Sequence, residues 1–379
     1  PCLTGFATSY ILLLLALLAI LLLLVRRHRI TFDAPAATFL AAFFGIAVLF
    51  ALSARQPADV LLAANFAAFL IYAPLATLYR RAAGPENARL IARLALAGAA
   101  LGAAVAAFEV FVLGAERAGL FVTDTIRLGD TAVLLGFLAL IGLSGHAGRA
   151  RWLYLLGPVL ALAVVLLTGA RGAMLAYPVL AFVSLLFLIR RKWLALAAAG
   201  VAVLALFLAA AGGLFGSARL VSLFDVLQRI ASGLPVGDEA VRIRLELYRA
   251  GWQAFQQSPL IGHGWANLMT SVVPFLAEAD KGHAALPHLH NELLNFAVFG
   301  GLAGVAIYLA LIAMPIVLSL RSPRDSLHGA RLFGVTVLVV GYLVMGLPDT
   351  MLSFEMHTAL YVALVAVLLG YCRDREPTG

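Results

Sequence analysis

The stretch YILLLLALLAILLLLV, residues 10–25, decides the fold class, because it is an almost unbroken run of leucine, alanine and isoleucine. The basic residues Arg26, Arg27, His28 and Arg29 end the run abruptly. An apolar run of this length can cross the hydrocarbon core of a bilayer as a helix. No small-residue cleavage motif follows it, so we interpret it as a membrane span rather than a signal peptide.

Similar apolar runs recur to the end of the chain. Of its 379 residues, 63% are hydrophobic and 12% are charged, whereas soluble proteins are about 45–50% apolar and about 25% charged. We therefore predict an all-α polytopic membrane protein with about 11–12 transmembrane helices. Charged residues, prolines and glycines separate the predicted spans, which are 9–25, 35–53, 58–79, 90–114, 127–144, 151–168, 171–189, 193–212, 291–320, 329–347 and 355–371.

Basic residues mark every second loop between these spans. They are Arg26, Arg27 and Arg29, then Arg80, Arg81, Arg89 and Arg93, then Arg149 and Arg151, then Arg190, Arg191 and Lys192, then Arg321, Arg324 and Arg331. The positive-inside rule assigns such loops to the cytoplasmic side of a bacterial inner membrane. The net charge of +8 therefore reflects topology and does not indicate nucleic-acid binding. Since the chain begins with Pro1, we expect a further segment before it.

The chain divides into three parts: N-terminal transmembrane helices (1–212), one large extramembrane loop (213–288) and C-terminal transmembrane helices (289–379). The charge alternation places the loop in the periplasm. Apolar residues at helical spacing predict an amphipathic helix over 241–256, followed by a glycine-rich turn through residues 262–264. Cys2 and Cys372 lie in opposite terminal segments and share no motif, so neither a disulfide nor a metal site is predicted.

Two groups of arginines are candidate anion ligands. Arg171 lies in a very short outer loop, where it either snorkels to lipid headgroups or binds phosphate through its bidentate guanidinium; we prefer phosphate binding. Arg242, Arg244 and Arg249 lie on the predicted loop helix, with Arg242 and Arg249 on one face. The alternative for these three is a solvated helix face in which Glu246 supplies an ion pair.

The segment His-Leu-His-Asn-Glu, residues 288–292, opens a long span and is the most specific signal. His290 can remove a proton from a sugar hydroxyl when a carboxylate or amide fixes its tautomer. His288 and His290 with His263 or His283 could alternatively bind a metal, although no HExxH spacing accompanies them.

The predicted topology places the main candidates, Arg171, Arg244 and His290, on one membrane face, which favours a single site there. Asp349 and Glu355 in the last outer loop are its candidate neighbours. Cations and a base at an outer interface suit a lipid-linked phosphate donor and a hydroxyl acceptor.

These motifs resemble those of a known family. Residues 290–304 begin with His-Asn and end, after nine residues, with Gly-Leu-Ala-Gly. They match the H[NSQ]-x9-G-x-x-G pattern of the O-antigen ligases, bacterial enzymes that join O-antigen to lipid A-core. Residues 171–175 fit the family's R-x3-L pattern, and residues 244–264 resemble its outer-loop motif, an arginine-led helix that runs into P-L-x-G-x-G.

The resemblance implies a GT-C-type inverting glycosyltransferase that needs neither metal nor cofactor. Its donor would be O-antigen linked to undecaprenyl pyrophosphate and its acceptor lipid A-core, both within membrane lipids and on the periplasmic side. His290 would be the catalytic base or the group that orients the acceptor. The implied substrate-binding residues are Arg171, Arg244, Arg249, Arg242, Asn291 and His288.

Three other functions remain open at this point. O-antigen polymerases and protein O-oligosaccharyltransferases share the donor and differ in the acceptor; the H-N-x9-G-x-x-G spacing favours the ligase. A transporter or lipid flippase should carry ionisable groups near the middle of its spans. In this sequence the mid-span positions are almost wholly apolar, with Glu109 near a span end, so we expect chemistry at the membrane surface.

Overall fold

The computed structural model describes residues 7–121, 123–145, 148–189 and 237–374, together with 194, 226, 228, 229 and 232–234. Throughout these residues the regular structure is helical, which confirms the all-α class. The main helices are α1 (Ala7–Val25), α2 (Ala34–Ser53), α3 (Ala58–Arg81), α4 (Asn87–Val112), α5 (Thr125–Leu138), α6 (Arg149–Thr168), α7 (Arg171–Leu188), α8 (Glu239–Gln257), α9 (Glu292–Arg321), α10 (His328–Met345) and α11 (Glu355–Tyr371).

Eight of these helices are long and apolar enough to cross a membrane, namely all except α5, α8 and α11. The predicted span at 127–144 corresponds to α5 and the short helical turns 139–141 and 142–145 that continue it. The predicted span at 355–371 corresponds to α11, which is apolar but shorter. The span predicted at 193–212 lies, apart from residue 194, outside the described residues.

Helix α5 is the central element of the N-terminal half and packs against α4, α6, α7 and α10. Gly136 on α5 and Gly157 on α6 allow the two backbones to touch, since a Cβ at either position would lie within 2.6 Å of the other's carbonyl oxygen. The span predicted at 127–144 carries two buried charged residues, Arg127 and Asp130, near the start of α5 rather than in its middle.

Helix α8 is the predicted amphipathic loop helix, slightly longer than the predicted 241–256. Asp238 is its N-cap, and the Asp238 carboxylate accepts a hydrogen bond from the backbone N–H of Val241. Its buried face packs against α9, and Gly251 provides the closest approach, because a Cβ there would lie 2.9 Å from Leu289 and Leu294. This packing fixes α8 beside the start of α9.

Helix α9 is broken at Gly301, where the backbone adopts φ 60° and ψ −152°. The residues 259–264 fill the break. Their carbonyls at Pro259 and Leu260 accept hydrogen bonds from the N–H groups of residues 302 and 303, at 2.7 and 3.2 Å. The N–H groups of His263 and Gly264 donate to the carbonyls of residues 298 and 299, at 2.9 and 2.8 Å. The loop therefore pairs the four backbone groups that the break exposes.

Candidate functional site

One polar cavity of about 700 Å³ lies where the ends of several helices meet. The start of α5, the turn between α6 and α7, the start of α8, the segment before α9 and the loop before α11 all contribute to it. Its charged and histidine lining residues are Arg117, Asp124, Arg127, Arg171, Asp238, Arg244, His288, His290 and Asp349. The structure thus brings Arg171, Arg244, His288 and His290 together from segments far apart in the chain.

His290 is held in a backbone conformation that L-residues rarely adopt, with φ 52°. The single proton of the Tyr248 hydroxyl is shared between two acceptors, the carbonyl oxygens of His290 at 2.7 Å and Leu347 at 3.0 Å. Such strain in a residue other than glycine persists only where its surroundings enforce it, and it concentrates at functional sites. The imidazole Nδ1 lies 3.4 Å from Oδ1 of Asp349, at ion-pair distance.

Asp349 is buried beside this imidazole and is 3% exposed. Burial alone would raise its pKa, but the contact with His290 and the positive charge of Arg127 outweigh burial and hold the pKa of Asp349 well below its usual range. Oδ1 also accepts a hydrogen bond from the N–H of Thr350 at 2.8 Å. An ionised carboxylate next to Nδ1 favours a proton on that nitrogen, which leaves Nε2 with its lone pair.

Glu292 ties the loop that carries Asp349 to the start of α9. Its carboxylate accepts hydrogen bonds from the N–H of Met351 and the hydroxyl of Ser353, at 2.8 and 2.9 Å. Its own N–H donates to the carbonyl of Gly346 at 2.8 Å. These contacts fix the distance between His290, two residues before Glu292, and Asp349.

Arg127 supports the same loop from α5. Its guanidinium donates to the carbonyl of Thr350 at 2.7 Å, lies 3.1 Å from Nδ1 of His357 and stacks 3.9 Å from the ring centre of Phe354. It also lies 3.9 Å from Oδ2 of Asp349. In the sequence Arg127 is only the first residue of the span predicted at 127–144, and its burial beside Asp349 shows that it stabilises this carboxylate.

His288 stands directly beside His290, with ring centres 4.3 Å apart. Its Nδ1 accepts a hydrogen bond from the backbone N–H of His290 at 3.2 Å. Burial, and after it the neighbouring His290, lower the pKa of His288 to about 4, so the ring is neutral at pH 7. With Nδ1 engaged as an acceptor, the neutral tautomer carries its proton on Nε2 and is a hydrogen-bond donor.

The two arginines expected to bind phosphate both line the cavity but differ in their partners. Arg171 donates to Asp238 in a bidentate ion pair, with one N–H···O distance of 3.2 Å. Arg244 lies on α8, beyond the Asp238 cap, and contacts the carbonyl of Ala240 at 3.4 Å. Among the residues that the structure describes, Arg244 has no carboxylate partner, and its Nε is buried without a hydrogen bond.

The remaining candidates lie outside the cavity. Arg242 pairs with Asp280 at 2.9 Å, and Arg249 pairs with Glu246 at 2.9 Å and donates to the Phe275 carbonyl. These two arginines therefore fit the solvated helix face that the sequence left as an alternative.

Asn291 also lies outside the cavity, but its side chain bonds backbone groups next to the cavity. Its side-chain oxygen caps α9 by accepting from the N–H of Leu294 at 2.9 Å, and its amide donates to the Leu347 carbonyl at 3.1 Å. Glu355 is exposed at the start of α11 and does not line the cavity. Asn291 therefore does not line the polar cavity, although it lines a separate apolar pocket together with Tyr248 and Trp252.

A set of three potential metal ligands occurs at the site. One donor atom each of His288, His290 and Asp349 lies within 4.8 Å of the others. His263 is not part of this set, because it does not line the cavity and its Nε2 bonds the carbonyl of Ala254 at 2.8 Å. Two features disfavour a cation: Nδ1 of His288 is already an acceptor, and the Arg127 guanidinium neutralises Asp349.

A comparison with protein families identifies residues 156–309 as a match to the family described as O-antigen ligase. The matched region contains Arg171, Arg244 and His290, whereas Arg127 and Asp349 lie outside it. A comparison with curated proteins found no match.

Proposed function

We propose that this chain, which belongs to the O-antigen ligase family, transfers O-antigen polysaccharide from undecaprenyl pyrophosphate to a sugar hydroxyl of lipid A-core. The observation that carries the proposal is the cavity in which the His290–Asp349 pair faces Arg171 and Arg244. A base beside cations is what a hydroxyl acceptor and a pyrophosphate leaving group require.

In the proposed reaction, Nε2 of His290 accepts the proton of the acceptor hydroxyl while Asp349 stabilises the imidazolium that forms. The acceptor oxygen attacks the anomeric carbon of the donor sugar, and the bond from that carbon to the pyrophosphate oxygen breaks. The bonding electrons leave with undecaprenyl pyrophosphate, and the proton on His290 is returned to solvent. Because attack and departure occur on opposite faces in one displacement, the anomeric configuration inverts.

Arg171 and Arg244 would bind the pyrophosphate and stabilise the charge that develops on it. Arginine suits this role because its planar fork matches two phosphate oxygens. His288, as a neutral donor, is placed to orient the acceptor oxygen next to His290. None of these roles needs a metal ion.

The alternation of basic loops supports a location in the bacterial inner membrane with the cavity open to the periplasm. The basic residues Arg149, Arg321 and Arg331 lie near one end of α6, α9 and α10, and residues next to the other end of each of these helices line the cavity. A periplasmic cavity would meet the donor and lipid A-core in the outer leaflet.

The test is lipopolysaccharide banding in a ligase-deficient bacterium that supplies the donor and a matching core. The wild-type chain should restore the ladder, and His290→Ala should not. His28→Ala, in the basic loop after α1, is the matched control and should restore the ladder at an equal membrane level.

Two results would contradict the proposal. A normal ladder from a stably inserted His290→Ala variant would remove the proposed base. No ladder from a well-inserted wild type, with donor and core both present, would reject the ligase assignment.

A further inference from the structure

The Arg171–Asp238 ion pair crosses the cavity from the start of α7 to the start of α8. Both side chains are about one-fifth exposed, at 21% and 20%, so the pair remains open to a ligand in the cavity. The hydrogen bond from Arg171, which outweighs partial burial, lowers the pKa of Asp238, and the carboxylate is therefore ionised at neutral pH.

The contact is bidentate, with the two terminal nitrogens of Arg171 each donating to a different oxygen of Asp238. This edge of a guanidinium is also the one that two oxygens of a phosphate group would occupy. A carboxylate and a phosphate cannot use the same pair of N–H groups at once. Asp238 thus stands where an anionic ligand of Arg171 would bind.

Arg244 provides the contrast within the same cavity, because no carboxylate pairs with it among the described residues. Within the described part of the chain, an incoming phosphate therefore meets no competing anion at Arg244. At Arg171 it must first displace Asp238. Asp349, the other carboxylate near His290, differs from Asp238 in that it is 3% exposed and is held in place by His290 and Arg127.

We propose that Asp238 is a displaceable internal anion of Arg171, which competes with a pyrophosphate group for the guanidinium. Asp238 then lowers the affinity of the cavity for pyrophosphate and, when the pair re-forms, favours release of the pyrophosphate leaving group. The inference rests on the proposed function for the role of pyrophosphate, and it adds a residue that sets the affinity of that site.

Asp238→Asn tests the competition with little change to the fold. Asparagine is about as good an N-cap as aspartate, so the cap of α8 is retained while the negative charge is lost. The probe is inorganic pyrophosphate, and its binding to the purified full-length protein in detergent is measured by calorimetry at fixed ionic strength. We expect the affinity to rise about threefold to thirtyfold, which corresponds to loss of an ion pair of roughly 0.7–2 kcal/mol.

Two further variants separate competition at Arg171 from a general change of charge. Asp280→Asn removes the carboxylate that pairs with Arg242 outside the cavity, and it should leave pyrophosphate affinity unchanged. In an Arg171→Ala background, Asp238→Asn should give no gain, because the contested guanidinium is absent. Asp238→Ser, which keeps a capping oxygen, serves if the asparagine variant folds poorly.

Unchanged or weaker pyrophosphate binding by folded Asp238→Asn, or an equal gain in the Arg171→Ala background, would overturn the inference. A wild type that restores the lipopolysaccharide ladder while Asp238→Asn binds no tighter would refute only the competition. A wild type that restores no ladder and binds no pyrophosphate would refute the proposed function itself.

Discussion

Replacing Gly301 by alanine should destabilise the fold at the junction between α8 and α9. The backbone of Gly301, at φ 60° and ψ −152°, lies in a region that is essentially restricted to glycine, at a cost of about 1–3 kcal/mol for other residues. A Cβ at this position would lie 2.4 Å from the carbonyl carbon of Leu260 and 2.6 Å from the nitrogen of Ile261. Neither distance is tolerated, so the loop must move away.

Movement of the loop would break the hydrogen bonds from residues 302 and 303 to the carbonyls of Pro259 and Leu260. Each such bond contributes roughly 0.5–1.5 kcal/mol net, so the two account for about 1–3 kcal/mol. With the backbone cost, Gly301→Ala should lower the free energy of unfolding by about 2–6 kcal/mol. Transfer activity should fall as well, because the same loop joins the helix of Arg244 to the helix that follows His290.

The measurement is thermal unfolding of the purified protein in detergent, with the ladder assay alongside. Gly329→Ala is the matched control, since a methyl there meets nothing within 4 Å and Gly329 lies in the first turn of α10. It should change the free energy of unfolding by about 1 kcal/mol or less. A Gly301→Ala protein as stable as the wild type would refute the account of the break.

Four further predictions concern the cavity. Asp349→Asn should reduce transfer by about 10²–10⁴-fold at an unchanged membrane level, because the catalytic base His290 loses its charged partner. Initial rates of ladder formation would measure this reduction. A rate within about threefold of the wild-type rate would contradict it. Since the pKa of Asp349 is depressed in the folded protein, its stabilisation is present above its ordinary pKa of about 3.9 and is lost as pH falls toward the folded value. The melting temperature of wild type should therefore fall more steeply below about pH 4 than that of Asp349→Asn, and parallel curves would argue against it. Arg244→Ala should weaken pyrophosphate binding and Arg242→Ala should not, as calorimetry would show. Transfer should persist in EDTA at saturating donor; loss that Zn²⁺ or Mg²⁺ restores would instead assign a metal to His288, His290 and Asp349.

The sequence predicts most of the membrane architecture because hydrophobicity is a local property. A run such as residues 10–25 favours a helix that spans a bilayer, since in the hydrocarbon core its backbone polar groups can bond only within the segment. The charge alternation of the loops likewise predicts that Arg171, Arg244 and His290 lie on one membrane face.

The partners of the charged residues could not be predicted, because an arginine looks the same in sequence whether it is buried, paired or free. Arg242 and Arg249 share a helix with Arg244, yet they pair with Asp280 and Glu246 outside the cavity. Arg127 carries no motif in the sequence, yet it is 4% exposed and supports Asp349.

The sequence by itself therefore determines that the chain is an α-helical membrane protein and that three of its polar residues recur in one family pattern. Only the tertiary structure decides that His290 faces Asp349 and that Asp238 occupies the guanidinium of Arg171. The physical reason is the distance along the chain over which each property is set. The length of an apolar run and its helical periodicity depend only on residues that are close together in the sequence. Ion pairing and burial depend on residues brought together across 59 positions in one case and 67 in the other.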